Sequence, residues 1–385
     1  MKRNRRITRA LSLALVFGLL AGGCAPSDPA PANEGSAPPK STDAPAPSAA
    51  SAGALEGFSE ESKAYLEGKD FSGQTLVVGV WGGDYEKIIR DVVIPPLEAQ
   101  GAEVQLLLGG AGDRLAKLYA EKGSPSMDVA YINVHTAPQA VTDGVAEAAD
   151  KSLPVYADLY DFAKEAGGYG AAIAPVGIQY NKDVFSEPPT WEDLFQPEYA
   201  GKIAFPTWPS TGSDALLGIV GRMLGGDEHD TDAIIQKLQE LKPVPLVYTS
   251  NDELAQYMSQ GLVVAAPNQS SYAEALNEQY DNLGFVLPSE PCSVLAMDTI
   301  VITEGTKNRD LALAYVQLAL DPKTQTAFAE KAYFGPTNSK VTLSDSVSEK
   351  VVDGEEVASL INLDWPFIVQ IRKELTERWN KDLLE

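Results

Sequence analysis

The sequence predicts an α/β protein with more strand–helix alternation than one sheet holds. Short β-branched runs alternate with stretches whose apolar residues recur at helical spacing, and turns rich in Gly and Pro separate them. A chain of 385 residues, 44% of them apolar, can bury one large core or two moderate ones. No fixed-period repeat occurs, so a solenoid is not expected.

TLVVGV at 75–80 reads as a strand. Residues 84–97 follow with Tyr85, Ile88, Ile89, Val92 and Val93 at helical spacing, and Pro95-Pro96 is expected to stop that helix. The order repeats with a strand at 104–108, a Gly-rich turn at 109–112, a helix at 113–121 and a strand at 128–132. Further strands are expected at 202–205, 246–248, 263–266 and 299–303, with helices at 214–224, 232–241, 252–260 and 309–320. In the last segment Trp365, Ile368, Ile371, Leu375, Trp379 and Leu383 stand three or four apart, an amphipathic helix whose aromatic stripe reads as packing.

The first 53 residues give an address. Lys2, Arg3, Arg5, Arg6 and Arg9 precede an apolar run at 10–21, and Gly22-Gly23 leads to Cys24, which is the pattern of a signal peptide. The run is about half of the ~20 residues that a membrane-spanning helix needs. Leu20-Ala21-Gly22-Gly23-Cys24 resembles a bacterial lipobox, which implies cleavage before Cys24 and lipid on its thiol and new amino terminus. Residues 24–53 then consist largely of Ala, Pro and Ser and cannot repay the entropy of ordering, so a flexible tether is expected. The expected location is the cell envelope, outside the cytoplasm, with the membrane touched through the lipid alone. The second cysteine, Cys292, is read as a mostly buried free thiol.

Composition excludes several function classes. Lys and Arg number 30 against 54 Asp and Glu, and five of the basic residues fall in the first 23, so nucleic acid and anionic membrane surfaces are poor partners. Two Cys and two His cannot assemble a multi-thiolate zinc site, an iron–sulfur cluster or a disulfide framework. No metal or cofactor is implied. Phosphate-cradling and nucleophile-elbow motifs are absent from the folded part, and the acidic run Asp227–Asp232 reads as the capped start of a helix. No catalytic residue is indicated, although carboxylates paired in space leave no linear trace.

Three stretches carry a family resemblance. Trp191-Glu192-Asp193-Leu194-Phe195-Gln196-Pro197-Glu198-Tyr199-Ala200-Gly201-Lys202-Ile203 resembles a signature of family 1 extracellular solute-binding proteins, and Gly177–Asp183 fits the strand before it. Tyr333-Phe334-Gly335-Pro336-Thr337-Asn338 is similar to that family's closing motif, and the C-terminal helix fits as well. The nearest likeness is to the spermidine/putrescine-binding receptors of ABC importers.

The resemblance implies a type II periplasmic-binding-protein-like fold: two α/β lobes joined by hinge strands, closing on a ligand between them. It implies one lobe from 54–175 with 296–341 and another from 176–295 with 342–385, with crossings near Pro175, Ala296 and Val341. It also implies ligand-binding positions. Trp81, with Gly82 beside it, matches an aromatic packed on the ligand, Asp298 matches the acid that grips an amine, and Asn133, His135 and Asn268 stand at cleft positions. Where the polyamine receptors carry a pair of acids, this chain reads Pro206-Thr207-Trp208-Pro209-Ser210-Thr211-Gly212, and Ala296 and Pro267 replace two family aromatics. A smaller or less cationic ligand is expected, with Trp208 supplying a ring.

The expected function is that of a monomeric, lipid-anchored receptor that captures a putrescine-like or amino acid-like cation and delivers it to ABC permease subunits. Thiamine-, phosphonate- and iron-complex-like cargoes are the alternatives within the binding class, and a secreted hydrolase on the same scaffold is the alternative outside it.

Overall fold

The computed structural model describes residues 53–385. The signal peptide, Cys24 and nearly all of the tether lie outside the described residues. A first sheet takes β1 (Thr75–Val80), β2 (Glu103–Leu108), β3 (Val129–Asn133) and β4 (Tyr169–Ile173). The chain then enters a second sheet through β5 (Val176–Asn181), with a short parallel pair, β6 (Phe205–Pro206) and β7 (Val247–Tyr248), nearby in sequence. β8 (Ala265–Gln269) and β9 (Leu283–Val286) flank β5, both antiparallel to it. Finally β10 (Met297–Ile302) returns to the first sheet, antiparallel between β3 and β4, giving the order β2-β1-β3-β10-β4.

Each sheet has its own core. Leu76, Val78, Tyr131, Ile173, Ile300 and Phe328 belong to one apolar cluster, and Ile178, Trp191, Phe205, Leu217, Ile368 and Trp379 to another. This is the two-lobed α/β architecture. The lobes are joined where β4 runs into β5: the Ala174 N–H donates to the Ala296 carbonyl at 2.9 Å and the Val176 N–H to the Val294 carbonyl at 3.0 Å. The third passage comes later than expected. Val352 and Val357 pack in the first core and Ile361 in the second, so the chain crosses between 357 and 361 rather than near Val341. The Ile361 N–H donates to the Ser293 carbonyl and the Ile361 carbonyl accepts from Leu295, both at 2.9 Å.

Most expected elements stand within a few residues of their places. The segment at 84–97 is not stopped by its prolines, however. A π-helical turn, Ile89–Val93, links Asp84–Ile88 to Ile94–Ala99, and Pro95 and Pro96 occupy the first turn of the latter. An N–H is dispensable there, and the wider turn ahead absorbs the missing donors. The expected strand at 202–205 shrinks to a two-residue pair at Phe205–Pro206. The terminal helix runs Trp365–Arg378 and continues as a π turn, Trp379–Leu384, with Trp379 and Leu383 fully buried. At the acidic run, the Asp230 side chain accepts from the Ala233 N–H at 3.1 Å, capping the helix Thr231–Leu238. Cys292 is half-buried rather than mostly buried.

Candidate functional site

Where strand ends from one sheet face helix starts from the other lobe, a cavity of about 460 Å³ opens. The first lobe contributes Trp81 and Tyr85 after β1, Asn133 and His135 after β3, Asp298 on β10, and Phe334. The second contributes Pro206, Thr207, Ser210–Gly212, Asn268 and Tyr272, together with Arg372 from the terminal helix. Of the residues expected at the ligand, Trp81, Asn133, His135, Asn268 and Asp298 are brought together here.

Gly82 and Trp208 are not part of this lining. Gly82 is exposed in the turn beyond Trp81, and the nearest atom to a Cβ added there would be a Glu86 oxygen at 3.9 Å. Trp208 turns away to pack on Trp379, with ring centroids 4.8 Å apart, and its indole N–H donates to the Thr376 hydroxyl at 2.8 Å. The apolar mass of the terminal helix takes this ring, which packs against the second core and does not line this cavity.

Asp298 sits at the centre of the first wall. It lies opposite Asn133 in the β10–β3 ladder, and the register against β4 shifts just after it. Only 8% of the residue is exposed. Burial pushes its carboxyl up to about 7, with the Arg114 guanidinium and the Tyr85 hydroxyl acting in the opposite direction. Tyr85 also packs on Trp81 at 5.2 Å and on Phe334 at 5.4 Å, so aromatic surface surrounds the acid.

Arg114 is the hidden support of this wall. It is 2% exposed, donates from Nε to the Tyr131 carbonyl at 2.6 Å, and places its guanidinium 4.3 Å from the Trp81 ring centroid. Gly79 makes room for it: a Cβ there would come within 2.3 Å of the Met127 sulfur and 2.6 Å of Arg114 Cδ. Burial lowers the Arg114 pKa to about 10, which leaves it charged at neutral pH.

On the opposite wall Arg372 donates from Nη2 to the carboxylate of Asp214 at 2.8 Å. Asp214 is wholly buried, and burial raises its carboxyl to about 6 against the pull of Arg372. Burial and the Arg372 cation push the His135 imidazole well below its ordinary value, so the ring is neutral at physiological pH. The ring lies 4.9 Å from that of Trp365, bridging the two lobes beside the cleft. Asn268 is buried within β8 and its side-chain oxygen accepts from the Gln269 N–H at 2.9 Å.

Sequence reasoning missed Tyr85, Arg114, Tyr272, Phe334 and Arg372. Tyr85, Arg114 and Arg372 lie in amphipathic helical segments, where an aromatic reads as packing and an arginine as solvated; nothing local marks them as lining a cleft.

A pH signature follows from the two buried acids. Asp298 at about 7 and Asp214 at about 6 both exceed an unfolded carboxylate at about 3.9. The stability each contributes is complete below the unfolded value and is lost as pH rises through the folded one. The neutral His135 ring works the other way below about pH 6.5, because the unfolded chain binds that proton more readily, but the two carboxyls outweigh the one ring, so thermal unfolding of the ligand-free protein should shift upward on acidification from pH 8 to pH 5. A melting temperature that stays level or falls over that interval would contradict the two buried carboxyls.

The geometry agrees with what comparison finds. Residues 97–352, about two thirds of the chain, match the family described as bacterial extracellular solute-binding protein. A putrescine/cadaverine-binding protein of Pseudomonas aeruginosa is 25% identical over 263 residues, covering 61% of this chain and 72% of that one. The crystal structure of an ABC transporter protein from Clostridium perfringens superposes with a TM-score of 0.70 at 29% identity, over 80% of this chain and 99% of that one. A spermidine/putrescine ABC transporter substrate-binding protein from Streptococcus pneumoniae superposes with a TM-score of 0.65 at 22% identity, over 80% and 99% of the two chains. With a family match over most of its folded part and a polar, aromatic-walled cleft between two lobes, the chain belongs to the bacterial extracellular solute-binding proteins, a family that works outside the cytoplasm.

Proposed function

We propose that this protein is the solute receptor of an ABC importer and that its solute is a small organic amine, held with the ammonium against Asp298. The carrying observation is the buried carboxyl of Asp298 in the first-lobe wall of a cleft lined by aromatic residues. A carboxyl raised by burial is poised for a cation, because a bound ammonium supplies the paired charge that burial withholds. Trp81, Phe334 and Tyr272 line the cavity and would supply aromatic surface to the carbon chain, a ring being worth about 0.5–2 kcal/mol where a cation stands over it. Ligand contacts to both walls would favour a closed form over an open one, which is the state a permease can distinguish. Lipid on Cys24 would hold the receptor at the membrane while the tether lets the lobes range.

The relative from Pseudomonas carries a diamine by name, and the structural neighbours include a GABA receptor and a glucopine-bound protein, so this scaffold accommodates different cargoes. The test is a thermal-shift screen of the domain from about Ala54 against amines, amino acids, thiamine, phosphonates and ferric complexes. A ligand at a hundred times its Kd should stabilise the fold by about 2.7 kcal/mol. Shifts confined to amine-bearing ligands support the reading; shifts only with anions or metal complexes overturn the amine and keep the receptor.

A further inference from the structure

We infer that the solute is a zwitterion, an ω-amino acid or similar molecule carrying an ammonium at one end and a carboxylate at the other; this rests on the amine reading above. The cleft is not built for two ammonium groups. Among the described residues that line it, Asp298 is the one acid and Arg372 the one lysine or arginine. They arise from different lobes, Asp298 from β10 in the first sheet and Arg372 from the helix Trp365–Arg378 packed in the second core. Their fields fall on different neighbours: Arg114 is the cation that acts on Asp298, whereas Arg372 acts on His135. Positive and negative charge thus stand apart within one cavity. A diamine would bring its second ammonium toward Arg372.

Arg372 is under-satisfied as it stands. Its bond to Asp214 uses Nη2, its Nε is buried with no partner, and 26% of the side chain remains exposed. A guanidinium presents a planar fork suited to a carboxylate, and one protein contact leaves capacity for a second. Its surroundings favour negative charge as well. Thr211 and Gly212, in the first turn of the thirteen-residue helix Thr211–Met223, line the same cavity. The capping box between Ser210 and Ser213 serves the N–H of Ser213 and leaves those of Thr211 and Gly212 outside the helix's own ladder. Thr207, Ser210 and Ser250 complete the lining of this wall, whose one acid, Asp214, is wholly buried behind Arg372 and does not reach the cavity.

Calorimetry with chains of matched length tests this on the intact folded domain: γ-aminobutyrate, putrescine and butylamine, extended to longer and shorter homologues of each. The amino acid series should bind about tenfold to a hundredfold more tightly than the monoamines, as expected for a charge-assisted pair at Arg372. Arg372→Gln should abolish that advantage, so that amino acids and monoamines of matched length bind the variant alike. Because Arg372→Gln leaves Asp214 buried alone, the double variant Asp214→Asn with Arg372→Gln, which removes both charges, provides the same comparison if the single variant unfolds. Diamines binding as tightly as the amino acids, or an amino acid preference that survives loss of Arg372, would overturn the zwitterion and leave the amine reading standing. Absence of binding by all three series would overturn the amine reading itself.

Discussion

Asp298→Asn is expected to weaken binding of the amine solute by about 2–5 kcal/mol, the largest single effect in the cleft. A neutral amide of the same shape cannot pair with an ammonium that stays desolvated among Trp81, Tyr85 and Phe334. The variant should still fold. Arg114 keeps its acceptors, the Tyr131 and Gly109 carbonyls, and its place against Trp81. Loss of a buried carboxyl should also flatten the pH dependence of unfolding above pH 5. Titration provides an independent handle: with the free carboxyl at about 7, affinity should fall about tenfold per unit as pH drops below that value. The Asn variant should show no such slope. Unchanged affinity in Asp298→Asn would remove the acid from the binding site.

Gly335→Ala should produce the largest loss of stability among the conservative changes considered, about 1–3 kcal/mol or more. A Cβ there would stand 1.9 Å from the Val352 carbonyl oxygen and 3.3 Å from Ile173 Cβ. Backbone cannot swing aside as a side-chain tip can. Gly335 also exchanges two backbone hydrogen bonds with Ile173, at 2.9 and 2.8 Å, where β4 leaves the first sheet for the hinge. Its neighbour Phe334 lines the cleft, so ligand affinity should fall together with stability. Gly82→Ala, with no atom closer than 3.9 Å to the new methyl, should change stability by less than about 0.5 kcal/mol. Equal urea midpoints for Gly335→Ala and the parent protein would contradict the packing of 352 over 335, and with it the late third crossing.

How much of this was legible beforehand varies with the kind of residue. β1 was read residue for residue because TLVVGV is a β-branched run between turns, and the helix starting at Arg309 was found from its periodicity. β4 and β9 escaped a reading by pattern. YGAAI and LGFV are short and carry glycine where a neighbour approaches closely: a Cβ at Gly170 would meet Ala163 at 2.7 Å, and one at Gly284 would meet the Tyr180 ring at 2.5 Å. Such glycines are fixed by tertiary contact and weaken the local strand signal. The site divides in the same way. Trp81 and Asp298 stood in motifs whose order along the chain carries a resemblance, whereas Arg114 and Arg372 sit in helices whose polar faces look solvent-exposed until the lobes are assembled.

The sequence by itself determined the family, the α/β class and the scarcity of groups for metal or thiol chemistry, because composition, periodicity and motif order are properties of the chain read in one dimension. Only the tertiary structure decided that Trp208 packs on Trp379 outside the cavity lining, that Arg114 passes beneath Gly79 to support Trp81, and that one acid and one arginine confront the same cavity from different lobes. The physical reason is that charge complementarity in a cleft depends on which strands cross the hinge and how β10 inserts between β3 and β4. Those are long-range pairings, and residues separated by more than a hundred positions meet only through them.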